Sequence, residues 1–124
     1  MDKVSIIVRT CGRPEVLRGA LESIRKQTYP DVETVVIEDG LEISRQMICT
    51  EYSDLQLRYI STGKRVGRAK AGNLGMKVAQ GKYLNFLDDD DVLYPEHIEI
   101  LLQTLQSAEE KAVYSVAEEA AAIY

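Results

Sequence analysis

A short apolar segment that ends in four consecutive aspartates constrains the fold of this 124-residue chain more than any other feature. Residues 83–87 are typical of a buried strand, Asp88–Asp91 follow at once, and Pro95 predicts a helix start. In an open α/β sheet, ligands bind at the carboxyl ends of the strands. Four adjacent carboxylates repel one another unless a cation shares their site. The segment therefore predicts a site for Mg²⁺ or Mn²⁺, which prefer oxygen ligands, at a sheet edge.

Candidate strands and helices alternate along the rest of the chain. Apolar and β-branched runs predict strands over residues 4–8, 33–37, 57–60, 83–87 and 112–116. Apolar residues at helical spacing predict helices over residues 14–27, 43–52, 68–80 and 97–107. This alternation is typical of an α/β protein with a mostly parallel sheet. We expect one domain over residues 1–116, which is long enough for a sizeable core, and a tail over residues 117–124.

Composition excludes several classes of protein. The net charge of −5 argues against a nucleic-acid binder, and no apolar run reaches the length of a membrane span. The first residues lack a signal-peptide pattern, so a cytoplasmic location is expected, with peripheral binding to the inner face of the membrane as a variant. Cys11 and Cys49 are too far apart in sequence to form a metal-ligand pair.

Charge is distributed unevenly along the second half of the chain. Residues 63–82 contain six basic residues and no acid, whereas residues 88–124 contain ten acids and one base. A basic segment that leads into an acidic strand end would suit an anionic ligand held through a metal ion. The alternative is that these residues form two unrelated solvated faces, and the charge pattern alone leaves both interpretations open.

The aspartate run divides into two pairs of candidate residues. Alternate residues of an extended chain point the same way, so Asp88 and Asp90 can share one metal ion. Asp89 is a candidate for binding the ligand, while Asp91 also suits the N-cap of a following helix. A turn with a helix cap would explain one of these aspartates, but not four in a row.

Three further polar residues are candidates for ligand binding. Asp39 follows a predicted buried strand and could accept hydrogen bonds from a nucleoside, although Asp-Gly is also a common turn. Arg68 lies at a predicted helix N-terminus, where a diphosphate binds well, and could equally be an exposed charge. Asn73 could contact a ligand or the loop backbone. His97, the single histidine, is interpreted as a surface residue.

The motifs occur in an ordered set. They are residues 4–10 (VSIIVRT), 27–30 (QTYP), 36–40 (VIEDG), 67–73, and 81–83 leading into 87–91. In order and spacing, the chain resembles the inverting family 2 glycosyltransferases of the GT-A fold from about residue 4 to residue 115. Each motif alone is weak, but the ordered set is specific.

The resemblance implies a Rossmann-like GT-A three-layer sandwich with strand order 3-2-1-4 and a nucleotide-diphospho-sugar donor as ligand. By similarity, Thr10 lines the nucleotide pocket and Asp39 hydrogen-bonds the base. Asp88 and Asp90 form the Asp-x-Asp pair, with Asp90 favoured as the metal ligand. The activity implied is transfer of the sugar to an acceptor hydroxyl, and the acceptor could be a glycan, a lipid-linked sugar or a protein.

Two departures from the family pattern affect these expectations. The family commonly has Arg-Asn where this chain has Gly72-Asn73, so Arg68 or Lys70 is expected to supply the charge. The family's catalytic base lies beyond the donor half, and no residue here matches it. We therefore expect a fold truncated before the acceptor half, with self-association as a homo-oligomer a further expectation. The alternative is a non-catalytic nucleotide-sugar-binding module or a partial subunit.

Overall fold

The computed structural model describes residues 1–107. Strands and helices alternate through this range as β1 (Val4–Thr10), α1 (Pro14–Arg25), β2 (Val32–Glu38), α2 (Arg45–Glu51), β3 (Leu57–Ser61), α3 (Arg68–Val78), β4 (Tyr83–Asp88) and α4 (His97–Ser107). The α/β class predicted from the sequence is confirmed. The predicted strand over residues 112–116 and the predicted domain boundary at residue 116 lie outside the described residues.

The four strands form one parallel sheet in the order β3-β2-β1-β4, which confirms the predicted order. The chain moves outward from β1 to β2 and β3, and then returns past β1 to place β4 on the other side. Crossover connections between parallel strands are right-handed. Reversing the direction of strand addition therefore places α3 on the face of the sheet opposite to α1 and α2.

Helices cover both faces of the sheet. On one face, buried residues of β1, β2 and β4 pack against Leu17, Ala20, Leu21 and Ile24 of α1, Met47 and Ile48 of α2, and Ile98 and Leu102 of α4. On the other face, Ile7, Val35 and Ile37 pack against Ala71 of α3. Because helices lie above and below one sheet, the predicted three-layer sandwich is confirmed. Among the described helices, none combines the length and the apolar composition that crossing a bilayer requires.

Glycines allow α3 and the turn after it to approach β1 closely. A Cβ added at Gly81 would lie 2.5 Å from Oγ of Ser5, and one at Gly75 would lie 2.5 Å from Cγ2 of Ile7. At Gly72, nearer the carboxyl end of the sheet, the closest atom would be 3.8 Å away. The helix therefore fits tightly against β1 at the amino end of the strand and leaves more space at the carboxyl end.

Helix α4 occupies His97–Ser107, the range predicted from the sequence, and starts two residues after Pro95. The backbone just before it is bonded to the residues that follow α1. The side-chain amide of Gln27 donates to the carbonyl of Tyr94 at 2.8 Å and accepts the N–H of Ile98 at 3.1 Å. His97 is half-buried rather than a surface residue, and its Nε2 lies 3.3 Å from Oδ1 of Asn85. Burial lowers the pKa of His97.

We predict opposite effects on stability for two alanine substitutions in α3. Gly75→Ala places a Cβ 2.5 Å from the branch methyl of Ile7, and overpacking of this kind costs about 1–3 kcal/mol. Gly72→Ala brings its Cβ no closer than 3.8 Å to any neighbour. It also removes the glycine penalty in a helix, a gain of up to about 1 kcal/mol. Urea unfolding measures both changes, and a neutral Gly75→Ala would contradict the close packing described above.

Candidate functional site

The carboxyl ends of β1, β2 and β4 meet in one pocket of about 310 Å³. The pocket is lined by Arg9, Thr10, Cys11, Arg13, Asp39, Arg65, Arg68, Ala71, Asp88, Asp89 and Asp90. It lies where the direction of strand addition reverses, which is the usual ligand-binding position in an open α/β sheet. Four arginines and four aspartates among these residues give the pocket a strongly polar, mixed charge.

The aspartate run forms a turn rather than an extended segment. β4 ends at Asp88, and the N–H of Asp91 donates to the carbonyl of Asp88 at 3.1 Å. The turn brings one carboxylate oxygen of each of Asp88, Asp90 and Asp91 to within 4.8 Å of one another. Asp88 and Asp90 therefore do lie together, but the turn produces this proximity, not the alternation of an extended chain.

Asp89 points away from that cluster and into the protein. Only 3% of this residue is exposed, and its carboxylate accepts a hydrogen bond from Oγ1 of Thr10 at 2.8 Å. The guanidinium of Arg13 donates to both of its oxygens, with Nε at 3.2 Å from Oδ2. The bond to Asp89, with the attraction between the two charges, raises the pKa of Arg13. Asp89 thus attaches the loop that follows β1 to the end of β4.

Asp88 is held between two arginines. Its Oδ1 accepts a hydrogen bond from Nη2 of Arg9 at 2.5 Å, and its Oδ2 accepts one from Nη2 of Arg68 at 3.2 Å. Arg68 reaches it from the first position of α3, whereas Arg9 reaches it from β1. The two arginines therefore compensate part of the negative charge of Asp88.

Asp39 holds the loop that precedes α3. Its Oδ1 accepts the N–H of Val66 at 2.7 Å and the hydroxyl of Thr62 at 3.3 Å, and its Oδ2 accepts the N–H of Gly67 at 3.0 Å. The bond from Val66, assisted by that from Gly67, holds the pKa of Asp39 below its ordinary value, although burial opposes the shift. The carboxylate is therefore ionised and fixes the wall of the pocket formed by residues 62–67.

Glu38 is fully buried, and its carboxylate holds the loop after β1 and the loop after β2. Its carboxylate accepts the N–H of Gly12 at 3.1 Å, the N–H of Ile43 at 2.9 Å, and both the N–H and the hydroxyl of Ser44, at 2.8 and 3.0 Å. It also accepts the hydroxyl of Tyr59, whose pKa is raised by burial and by this bond. The sequence did not identify Glu38, because no local motif shows that the following loop, Gly12 and Tyr59 all donate to this one carboxylate.

The exposed carboxylates of the turn suit a hard divalent cation. Asp88, Asp90 and Asp91 offer oxygen atoms within 4.8 Å of one another, close to the separation of about 4.2 Å between opposite ligands of octahedral Mg²⁺. Burial, followed by repulsion from Asp90 and Asp88, raises the pKa of Asp91. A bound cation would relieve the repulsion among these carboxylates.

Most of the site residues predicted from the sequence lie in the pocket. They are Thr10, Asp39, Arg68, Asp88, Asp89 and Asp90. Asn73 lies on the exposed side of α3 and does not line the pocket. Of the two residues expected to supply the missing charge, Arg68 lines the pocket and Lys70 does not.

Sequence reasoning missed three arginines that line the pocket, Arg9, Arg13 and Arg65. Arg9 precedes Thr10 at the end of the first strand, and Arg13 lies in the loop that follows. Their closeness to Thr10 in sequence could have identified them as candidate site residues. Arg65 lies in the basic segment that was noted only for its total charge. Its aliphatic chain lies 3.9 Å from the position of a Cβ built at Gly40.

A parallel sheet of this order, with acidic and basic side chains at its carboxyl edge, defines a Rossmann-like α/β domain with a site for a polar ligand. The chain belongs to glycosyl transferase family 2, whose sequence pattern it matches over residues 5–119. It is 30% identical over 114 residues to the glycosyltransferase GlyG of Streptococcus pneumoniae, covering 90% of this chain and 38% of that protein. It is also 40% identical over 107 residues to an uncharacterized glycosyltransferase of Rickettsia felis, covering 84% of this chain and 17% of the relative.

Solved structures share the same fold. Residues 1–349 of S. aureus TarS, in complex with UDP-GlcNAc, superpose with a TM-score of 0.77 at 27% identity, covering 85% of this chain and 31% of that one. The mannosyltransferase PcManGT from Pyrobaculum calidifontis, in complex with GDP-Man and Mn²⁺, has a TM-score of 0.67 at 25% identity, covering 73% of this chain and 28% of that one. The chain thus spans less than two fifths of each of these proteins.

We predict that Asp39→Asn destabilises the protein at pH 7 by about 1.5–3 kcal/mol, because hydrogen bonds to a buried charged acceptor are lost. The folded-state pKa of Asp39 lies below its ordinary value. Its contribution is therefore complete above about pH 3.9, the unfolded value, and is lost as the pH falls through the folded-state pKa. We expect urea unfolding, measured from pH 7 to pH 3, to show a smaller difference in the free energy of unfolding between the wild type and Asp39→Asn at the acid end.

The matched control is Asp54→Asn. Asp54 is exposed and pairs with Arg25 at 2.8 Å on the surface. Because an exposed ion pair contributes about 0–1 kcal/mol, this variant should lose little stability. An Asp39→Asn variant that behaves like the control would show that the carboxylate does not hold the 62–67 loop.

Proposed function

We propose that this chain is the donor-binding part of a glycosyltransferase and that its pocket binds a nucleotide-diphospho-sugar. The observation that carries the proposal is the juxtaposition of a three-carboxylate cluster with the arginines that line the same pocket. A divalent cation satisfies the carboxylates, and guanidinium groups bind the oxygens of a diphosphate. Family membership supports this assignment, as do the UDP-GlcNAc complex of TarS and the GDP-Man complex of PcManGT.

In this proposal, Asp90 and Asp88 hold Mg²⁺ or Mn²⁺, and Asp91 adds negative charge beside them. The Mn²⁺ present in the PcManGT complex supports a divalent metal as cofactor. When bound, such an ion stabilises the charge that develops on the diphosphate leaving group. Asp89 contributes indirectly, because its buried carboxylate holds Thr10 and Arg13 at the pocket wall.

Other residues of the chain would bind the nucleotide. Arg68 opens α3, so its guanidinium and the free N–H groups of the first helical turn favour a diphosphate at this position. Thr10 and Asp39 would line the nucleoside side of the pocket. Three hydrogen bonds already occupy the carboxylate of Asp39, which leaves about one acceptor position for a base. The role of Asn73 stays a prediction.

The reaction we propose is transfer of the sugar to an acceptor hydroxyl. Such a transfer requires a general base within hydrogen-bond reach of that hydroxyl. The aspartates of the pocket are committed to the cation or to the loops, so we assign none of them this role. We leave the acceptor as a glycan, a lipid-linked sugar or a protein, and propose that the protein acts in the cytoplasm, or at the inner face of the membrane.

We predict that nucleotide binding depends on a divalent cation. The carboxylates of the aspartate turn repel a diphosphate unless a cation lies between them. The affinity for UDP or GDP should therefore be at least about tenfold higher in Mn²⁺ than in EDTA, a difference of about 1.4 kcal/mol. Titration calorimetry on the 124-residue chain, with each nucleotide in each buffer, measures this difference.

Two aspartate variants sharpen the experiment. Asp90→Asn should remove most of the difference between Mn²⁺ and EDTA, whereas the surface variant Asp54→Asn should retain it. Equal affinity of the wild-type chain in both buffers would refute the metal role. Failure of both nucleotides to bind in Mn²⁺ would refute the donor site itself.

A further inference from the structure

Arg9 enters the pocket from the strand at the centre of the site. It is paired in register with Asp88 of the neighbouring strand, and its Nη2 donates to Oδ1 of that carboxylate at 2.5 Å. Its side chain is 21% exposed, whereas the side chain of Arg68, on the other oxygen of Asp88, is 77% exposed. Arg9 is therefore the more firmly held of the two cations beside Asp88.

The absence of a side chain at residue 72 provides the space that Arg9 occupies. Gly72 is buried in α3, and a Cβ added there would lie 3.9 Å from Cδ of Arg9 and 3.8 Å from Cε1 of Phe86. A Cβ alone would fit, but a longer side chain would have to share this space with Arg9. The same helix fits tightly against β1 at Gly75, so the space is specific to the carboxyl end of the sheet.

We propose that Arg9 is a diphosphate-binding residue of the donor site, and that Gly72 gives its guanidinium its place; this inference rests on the proposed function. A guanidinium has five N–H donors in a planar fork that matches phosphate oxygens. Within the described residues, Arg9 donates one side-chain hydrogen bond, to Asp88. Because Arg9 lines the pocket, its remaining donors are available to a phosphate oxygen bound there.

A purely structural role for Arg9 predicts different binding results. If Arg9 served only to neutralise Asp88, removing it would disturb the aspartate turn and weaken diphosphate binding only through the metal ion that the turn holds. A direct phosphate-binding role instead predicts a loss that is specific to the diphosphate and that remains when EDTA replaces Mn²⁺.

The experiment compares Arg9→Met, which keeps an apolar side chain and removes the charge, with the wild-type chain. Each protein is titrated in Mn²⁺ and in EDTA with UDP and GDP, and with uridine and guanosine, which lack phosphate. We expect Arg9→Met to weaken binding of the nucleoside diphosphate by about 10- to 100-fold, the effect of losing a charge-assisted hydrogen bond. Binding of the matching nucleoside should not change.

Three further variants complete the set. Arg9→Lys keeps the charge without the planar fork, so its loss should be smaller than that of Arg9→Met. Arg18→Met removes an arginine of α1 that pairs with Glu51 of α2, away from the pocket, and should bind as the wild type does. Adding Gly72→Arg to Arg9→Met returns a guanidinium to the same space from the helix, and should bind the diphosphate more tightly than Arg9→Met alone.

The outcomes separate this inference from the proposed function. If the wild-type chain binds a nucleoside diphosphate and Arg9→Met binds it equally well, Arg9 is not a diphosphate ligand. An equal loss for nucleoside and diphosphate, or a loss of diphosphate binding that is absent in EDTA, would also overturn the inference, since either would indicate a structural role. Failure of the double variant to improve on Arg9→Met would overturn the part assigned to Gly72. If the wild-type chain binds neither nucleotide, the proposed function fails first, and the inference with it.

Discussion

Repulsion among four consecutive carboxylates is the constraint on which the rest of the site depends. The protein resolves it by giving the aspartates different partners instead of one shared environment. Asp89 turns inward to Thr10 and Arg13, and Asp88 is bonded to two arginines. Asp90 and Asp91 lie at the surface, and the pKa of Asp91 is raised by desolvation first and by repulsion from the neighbouring aspartates second. The negative charge that remains at the turn is what a divalent cation would neutralise.

This arrangement requires the parallel topology. Thr10, Arg9 and Arg13 come from the end of β1 and the loop after it, and reach the end of β4 because the two strands are neighbours. Arg68 arrives from the opposite face of the sheet, because the reversed crossover places α3 there. The glycines of α3 and its following turn set how closely that helix approaches β1. Charge compensation at the aspartate turn therefore depends on both the strand order and the packing of α3.

The sequence was sufficient to predict the strands and helices of residues 1–107, the strand order and the edge at which the polar residues meet. Apolar periodicity determines these features locally, and the ordered motifs supplied the topology. The sequence was not sufficient to predict where the side chain of each aspartate points. Those directions depend on a turn that the hydrogen bond from the N–H of Asp91 to the carbonyl of Asp88 closes. Arg9 was missed because its partner Asp88 is 79 residues away. Glu38 was missed because its donors combine the loop that follows β2 with Gly12 and Tyr59, which are more than 20 residues away.

Glu38 and Asp39 show how neighbouring acids acquire separate tasks. Both are buried and both accept several hydrogen bonds, but Glu38 binds the loops after β1 and β2, while Asp39 binds the loop before α3. Hydrogen bonds from the loops that form the pocket walls occupy most of the acceptor positions of these two carboxylates. The groups with free capacity are the arginines, as donors, and the exposed aspartates of the turn. Under the proposed function, ligand binding at this edge would therefore depend chiefly on cations, whether guanidinium groups or a metal ion, acting on an anionic partner.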